Sequence, residues 1–117
     1  MTGRKPYDLG FLEQQVLLAI VRQHLSAYGV SICDEIKKRT GREYPLGSIY
    51  AALDRLETNG LVERRRGEPT AERGGRAKIY FRVTAPGETA LEQVLKAISS
   101  MRKDVKLKGV ELKEVFP

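Results

Sequence analysis

Tryptophan is absent from this sequence, and cysteine and histidine occur once each. A lone Cys33 cannot close an intrachain disulfide, and one Cys with one His cannot complete a closed zinc site. Nor is a nucleophile set beside a base. His24 falls at a helix end, where a solvated or capping imidazole is the ordinary outcome, and no glycine-rich phosphate cradle occurs. The expectation is a protein with no catalytic residues, no cofactor and no metal. Long apolar runs are missing too: none approaches the roughly 18 residues that cross a membrane, and Met1-Thr2-Gly3-Arg4-Lys5 leads into no apolar signal stretch. No membrane partner is expected, and the expected compartment is the cytoplasm.

What is present suits one domain. The 117 residues are 41% hydrophobic and 31% charged, enough apolar surface for a single modest core. Twenty-one Lys and Arg stand against 15 Asp and Glu, and the net charge of +6 favours a polyanionic partner.

After a polar arm, Asp8 is the expected N-cap of a helix reaching about Leu25. Leu9, Leu12, Val16 and Ile20 form its main stripe, while Phe11, Leu18 and Leu25, with Val21 beside them, form a second stripe on the far side. One small core cannot cover both faces. Either this helix is buried under every neighbour, or the second stripe meets another chain. Val30 to Arg39 reads as a second helix with Ile32, Cys33 and Ile36 inward, and Gly41 stands where a left-handed C-cap is expected. Cys33 between two isoleucines reads as a small core hydrophobe.

A third helix follows Pro45, covers about Leu46 to Thr58 and stops at Asn59-Gly60. Ile49, Ala52, Leu53 and Leu56 face its core, and Gly47, Ala51, Asp54 and Thr58 face out, flanked by Ser48, Tyr50 and Arg55. The outward face is small and polar near its N-terminal end. Leu61 to Arg64 and Lys78 to Thr84 then read as a strand pair, with Ile79, Phe81 and Val83 on one side. Their connection is too long and too rich in Gly and Arg to be buried, so it projects as a mobile loop. A last helix from the turn at Ala85-Pro86-Gly87 to about Val105 carries Leu91, Val94, Ile98, Met101 and Val105 in steps of three and four. That is a short heptad seam, and a seam wants a partner helix.

Three helices and a hairpin with a basic loop, in this order, make a winged helix-turn-helix: mainly α with a small β-hairpin. The boundaries expected are a flexible arm at 1–7, a DNA-binding domain at 8–84, a dimerisation helix at 85–105 and a loosely ordered tail at 106–117. From Leu61 to Arg82 there are seven basic and three acidic residues, so most of the net charge lies in the hairpin. A basic loop alone is more often a solvated surface; behind a trihelical core it points to double-stranded DNA. Gly47, Ser48 and Ala51 would let the third helix approach base edges, with Arg55 beside them, while Arg73, Arg76 and Lys78 would reach phosphates or the minor groove. A tyrosine in the position of Tyr50 ordinarily packs its ring, and its hydroxyl is the expected phosphate contact. Asp54 would be repelled by DNA unless it accepts from a cytosine amino group or pairs with Arg55. The rival class is a winged-helix module that binds protein or RNA, which shares the fold and differs in what these surfaces touch.

Four segments then carry a resemblance. Leu9-Gly10-Phe11-Leu12-Glu13, Tyr28-Gly29-Val30-Ser31-Ile32, Gly47 to Val62 and Gly74 to Gly87 resemble successive signatures of the PadR family of bacterial transcriptional regulators. The resemblance implies a homodimer that represses promoters through paired winged helices, its last helix exchanging contacts with the partner's first. Phe11, Leu18, Leu91, Val94, Ile98, Met101 and Val105 are the expected interface. The single C-terminal helix resembles the short subgroup of the family, some of whose members bind planar drugs between interface tryptophans. This chain has no Trp and Ile98 falls near where such a ring stands, so the resemblance does not carry aromatic drug binding over to it. Effector sensing, if present, is expected at the apolar interface lined by Val16, Ile20, Ile98 and Met101 and not at Cys33, because a junction of two chains is where a concave apolar site can form.

Overall fold

The computed structural model describes residues 8–68 and 77–107. The expectations for the arm at 1–7, for Arg73 and Arg76, and for the tail beyond Leu107 lie outside the described residues. Helix α1 spans Phe11–Gln23, and a side chain from within the helix closes its first turn: the Glu13 carboxylate accepts from the Gly10 N–H at 2.8 Å. Asp8 does not cap it. Buried Leu9 lies between Asp8 and the helix start, and Asp8 is left exposed in the preceding turn. At the other end α1 stops at Gln23, two residues short of the expected Leu25, because His24 adopts φ 55° and turns the chain into a 3₁₀ turn over His24–Ser26.

Helix α2 covers Gly29–Thr40 and starts where Ser31 Oγ accepts from the Tyr28 N–H at 2.9 Å. It ends, as its sequence implies, on left-handed Gly41, whose N–H donates to the Lys37 carbonyl. Helix α3 spans Leu46–Thr58 behind Pro45, the bounds expected from sequence. Of the two residues expected to stop it, only Gly60 takes a positive φ; Asn59 stays at φ −89° and donates its side-chain amide to the Arg55 carbonyl.

Strands β1 (Val62–Arg66) and β2 (Ile79–Val83) pair antiparallel, with Val62 opposite Val83, Arg64 opposite Phe81 and Arg66 opposite Ile79. This register turns Phe81 into the core and leaves Arg65 and Tyr80 paired on the other face. The hairpin is tied to the body by the Phe81 N–H, which donates to the Ala27 carbonyl at 2.9 Å, and by an isolated bridge between Tyr28 and Tyr80. Helix α4 (Ala85–Arg102) begins at Thr84, whose hydroxyl accepts from the Gly87 N–H and donates to the Gly60 carbonyl. Val16, Leu17, Ile32, Ile49, Leu53 and Phe81 meet at the centre of one core. Each such side chain contributes roughly 1.5–3 kcal/mol by leaving water.

The heptad seam divides. Leu91 and Val94 are buried in the core of their own chain, whereas Ile98 and Met101 are 61% and 78% exposed and Val105 is exposed beyond the helix end. The four that lie on α4 share one helical phase, but the body of the domain covers only the first half of that helix. Leu91 and Val94 are therefore core residues, contrary to the expectation that they face a partner. The effector expectation changes for the same reason: Val16 and Ile20 fill the core, so they do not line a common site with Ile98 and Met101.

Candidate nucleic-acid interface

Gly47, Tyr50, Ala51, Asp54 and Arg55 are all exposed on α3, and Ser48 is half-buried beside them. Gly47 is the informative one. A Cβ built at that position meets nothing within 4 Å, so no contact inside the chain requires a glycine there. Tyr50 is different. Its ring lies across the first turn of α2, where a side chain on Gly29 would overlap the Tyr50 hydroxyl, and the residue is 42% exposed. Packing thus fixes the ring and holds the hydroxyl where the starts of α2 and α3 meet.

Arg55 and Asp54 are turned toward their own chain. Arg55 Nε donates to Glu13 Oε2 at 3.0 Å, joining a half-exposed guanidinium to a carboxylate whose side chain is only 3% exposed. Asp54 accepts from Arg64 of β1 at 3.1 Å, and Arg64 also binds Glu57 at 2.8 Å. The pairing of Asp54 with Arg55 expected from sequence is not formed; its partner is Arg64. On the outer face of the hairpin Arg82 pairs with Glu63, directly across the strands.

The basic surplus of the hairpin is accordingly smaller at the surface than the sequence count. Arg65, Arg66 and Lys78 are the described hairpin cations with no carboxylate partner among the described residues. Two of them are stacked on aromatic rings: Lys78 Nζ lies 4.2 Å from the Tyr28 ring centre, and the Arg65 guanidinium 5.3 Å from that of Tyr80. Tyr28 and Tyr80 meet edge to face at 5.9 Å. Rings placed this way hold the cations in fixed positions while leaving their charge unneutralised. Sequence singles out Lys78 here but not Tyr28, Tyr80, Arg65 or Arg66. The alternation that puts Tyr80 on the face away from Phe81 is the signal that could have found Tyr80 and its cross-strand neighbour Arg65.

Cys33 is half-buried against the core, and its thiol donates to the Tyr44 carbonyl at 3.2 Å. Burial first, then Asp34 and Glu43, pushes that thiol above its ordinary value, the reverse of what a reactive cysteine needs. Among the described residues there is no grouping of three or more potential metal ligands, and no helix is long and apolar enough to cross a membrane.

Two apolar surfaces remain uncovered. One runs along α1 through Phe11, which is 69% exposed, then Leu18, Val21 and Leu25 in the turn beyond; the other is the far half of α4, with Leu95, Ile98 and Met101. The second stripe on α1 is therefore exposed, and no neighbour among the described residues buries it.

Comparison with solved structures places this arrangement among known folds. A PadR-like transcription factor from Bacteroides fragilis is 24% identical, with a TM-score of 0.68 over 80% of this chain and 85% of that one. A PadR family transcription regulator from a hypervirulent Clostridium difficile is 20% identical, with a TM-score of 0.64 over 91% of this chain and 99% of that one. RosR of H. salinarum is 22% identical, with a TM-score of 0.66 over 95% and 93% of the two chains. No curated protein matches. The model of the transcriptional regulator PadR-like family matches residues 17–93, well over half of the sequence. The chain belongs to the PadR-like family of transcriptional regulators.

Proposed function

We propose that this regulator is a repressor that binds operator DNA as a homodimer in the cytoplasm, with α3 in the major groove and the hairpin on the flanking backbone or minor groove. Gly47 carries the reading. A glycine inside a helix costs up to about 1 kcal/mol relative to alanine, and some of that cost applies in the first turn, where Gly47 stands. Among the described residues nothing lies within 4 Å of where a side chain there would begin. Its smallness serves a surface from outside that must approach the α3 backbone closely, and the edge of a base pair is such a surface. Ser48 and Ala51 continue the same low relief, and the Tyr50 hydroxyl stands at its margin to meet a phosphate. Lys78, with Arg65 and Arg66, would hold the adjoining backbone, and Arg73 and Arg76 would extend that contact along the wing.

The dimer follows from the two uncovered apolar surfaces. Ile98 and Met101 on one protomer fit the need of Phe11 and Leu18 on its partner. An effector site at that junction would be lined by Leu95, Ile98 and Met101 and not by Val16 or Ile20. A dimer seated on promoter DNA blocks it by occupancy, and repression needs nothing more.

The test is fluorescence anisotropy across a salt series with duplex DNA from upstream of the chain's own gene, a scrambled duplex and an RNA of equal length. The promoter duplex should bind tightest, and log K should fall linearly with log[salt] by about 0.9 per neutralised phosphate. Preference for the RNA, or no salt-sensitive binding to any of the three, would replace this reading by the winged-helix RNA or protein module.

A further inference from the structure

We infer that α3 reads its operator chiefly through the C5-methyl groups of thymines, with Leu46 and Ala51 as the reading residues. The inference rests on the major-groove placement of α3 proposed above and names what that helix recognises there. In the major groove a base pair is distinguished either by its donors and acceptors or by the thymine methyl, and the first kind of reading is most selective with Arg, Lys, Asn, Gln, Asp or Glu side chains aimed at the bases, Ser and Thr being able to meet any base. The exposed face of α3 has two candidates, Asp54 and Arg55, and each is held by a partner in its own chain. Asp54 accepts from Arg64, and Arg55 Nε is fixed to the buried Glu13 carboxylate. The Tyr50 hydroxyl is held over Gly29, at the edge of the face.

Besides Ser48, and Tyr50 at the edge, what remains exposed on the first two turns is Leu46, Gly47 and Ala51. Leu46 is 40% exposed at the first position of the helix, Ala51 is exposed one turn further on, and Gly47 lies between them with open space above it. Val30, from the first turn of α2, adds another exposed aliphatic side chain bordering the same concave surface as Leu46, whose lining also includes Asp34 and Glu43, the latter paired with Lys37. None of these belongs to the two apolar surfaces assigned to the dimer. An isolated exposed leucine means little by itself. Here the aliphatic groups occupy the part of α3 where base-reading side chains stand in a helix-turn-helix, and the two charged side chains that would compete for that role, Asp54 and Arg55, have partners in their own chain. Ser48 alone is left to accept or donate to a base edge.

The experiment uses the full-length protein and duplexes selected from a random library at one salt concentration. Each thymine of the selected half-site is then replaced by deoxyuridine, which removes the methyl and keeps base pairing. One or two positions should lose about three- to fivefold in affinity each, the value of one buried methyl, with the salt slope unchanged because no charge is involved. In Leu46→Ala and Ala51→Ser that penalty should shrink at the matching position; the serine variant keeps the size of the residue, so folding is retained. Replacing guanines by 7-deazaguanine, which removes an acceptor, should cost less than the deoxyuridine changes. No deoxyuridine effect at any thymine, an undiminished penalty in both variants, or a dominant 7-deazaguanine effect would overturn the inference while leaving DNA binding in place. A library that yields no preferred sequence would remove the major-groove reading itself, and this inference with it.

Discussion

Arg55→Met tests whether the ion pair between α1 and α3 supports the fold, because methionine keeps most of the aliphatic stem and removes the charge. The pair joins Arg55 Nε to Glu13 Oε2 at 3.0 Å, 42 residues apart in sequence. Its environment is mixed, with the carboxylate side chain 3% exposed and the guanidinium side 52% exposed. Fully exposed pairs contribute about 0.2–1 kcal/mol, whereas stripping one partner from a buried pair costs about 3–5 kcal/mol. Glu13 keeps its hydrogen bond from the Gly10 N–H, and solvent screens the arginine side, so the loss should fall between these limits at roughly 2 kcal/mol. Glu13→Gln, which preserves shape and can still accept from Gly10, should cost less. The double variant should be more stable than the sum of the two losses implies, by about 1 kcal/mol, because a neutral amide in place of the carboxylate no longer needs the guanidinium. Urea unfolding at one fixed protein concentration reads these values, fixed because dimer formation adds a mass-action contribution. A single-variant loss under about 0.5 kcal/mol, or strictly additive losses, would refute the assignment of Arg55 to the fold. The DNA salt slope gives a second reading. If Arg55 holds no phosphate, Arg55→Met leaves that slope unchanged, whereas a drop of about one unit returns Arg55 to the DNA surface.

Replacing both Ile98 and Met101 by Asp should leave the fold intact, since both side chains are exposed in the single chain, and should give monomers in analytical ultracentrifugation at concentrations where the unaltered protein sediments as a dimer. Glu35 accepts a hydrogen bond from Arg39, which, with Arg22 nearby, holds its carboxyl below the ordinary 4.5. Its contribution to stability is therefore present above that value and lost as pH falls through the lowered one, so Glu35→Gln should flatten the acid limb of a stability profile below about pH 4.5 and change little at neutral pH. Cys33, with its thiol raised by burial, should react with iodoacetamide at about pH 8 more slowly in the folded protein than in urea; equal rates would contradict the packing described for it.

Those elements were legible in the sequence whose signals are local. The bounds of α3 follow from Pro45, a regular apolar spacing and Gly60, and the hairpin follows from the alternation of Ile79, Phe81 and Val83. What escaped depends on distances between elements. The α4 seam has one unbroken period from Leu91 to Val105, and nothing in that period says that the domain beneath it ends after Val94. Arg55 has the helical phase of an outward residue and is outward, yet its partner lies on another helix. Glu13 did carry a signal: it occupies the phase of Val16, Leu17 and Ile20, where a carboxylate must find donors. The same carboxylate displaced Asp8 as the cap of α1, since one group inside the first turn served both Gly10 and Arg55.

Glycine shows most directly why a sequence can mark a site without saying which kind of site it is. Gly29, Gly47 and Gly87 all fall in the first turn or two of a helix, and all three look alike on a helical wheel. A Cβ at Gly87 would overlap the Leu61 carbonyl, so that glycine lets α4 pack directly on the end of the hairpin. One at Gly29 would overlap the Tyr50 ring, so that glycine lets α3 lie on α2. Both are explained from within the chain, by contacts that bring the helices together. Gly47 has no such explanation, because the space above it is open. The absence of an internal reason is what turns a small residue into evidence for an external one. It also orders the surrounding residues. Groups near Gly47 that already have partners, Arg55 and Asp54, belong to the body that holds α3 in place; groups without them, Leu46, Ser48 and Ala51, are left to meet whatever comes against the helix.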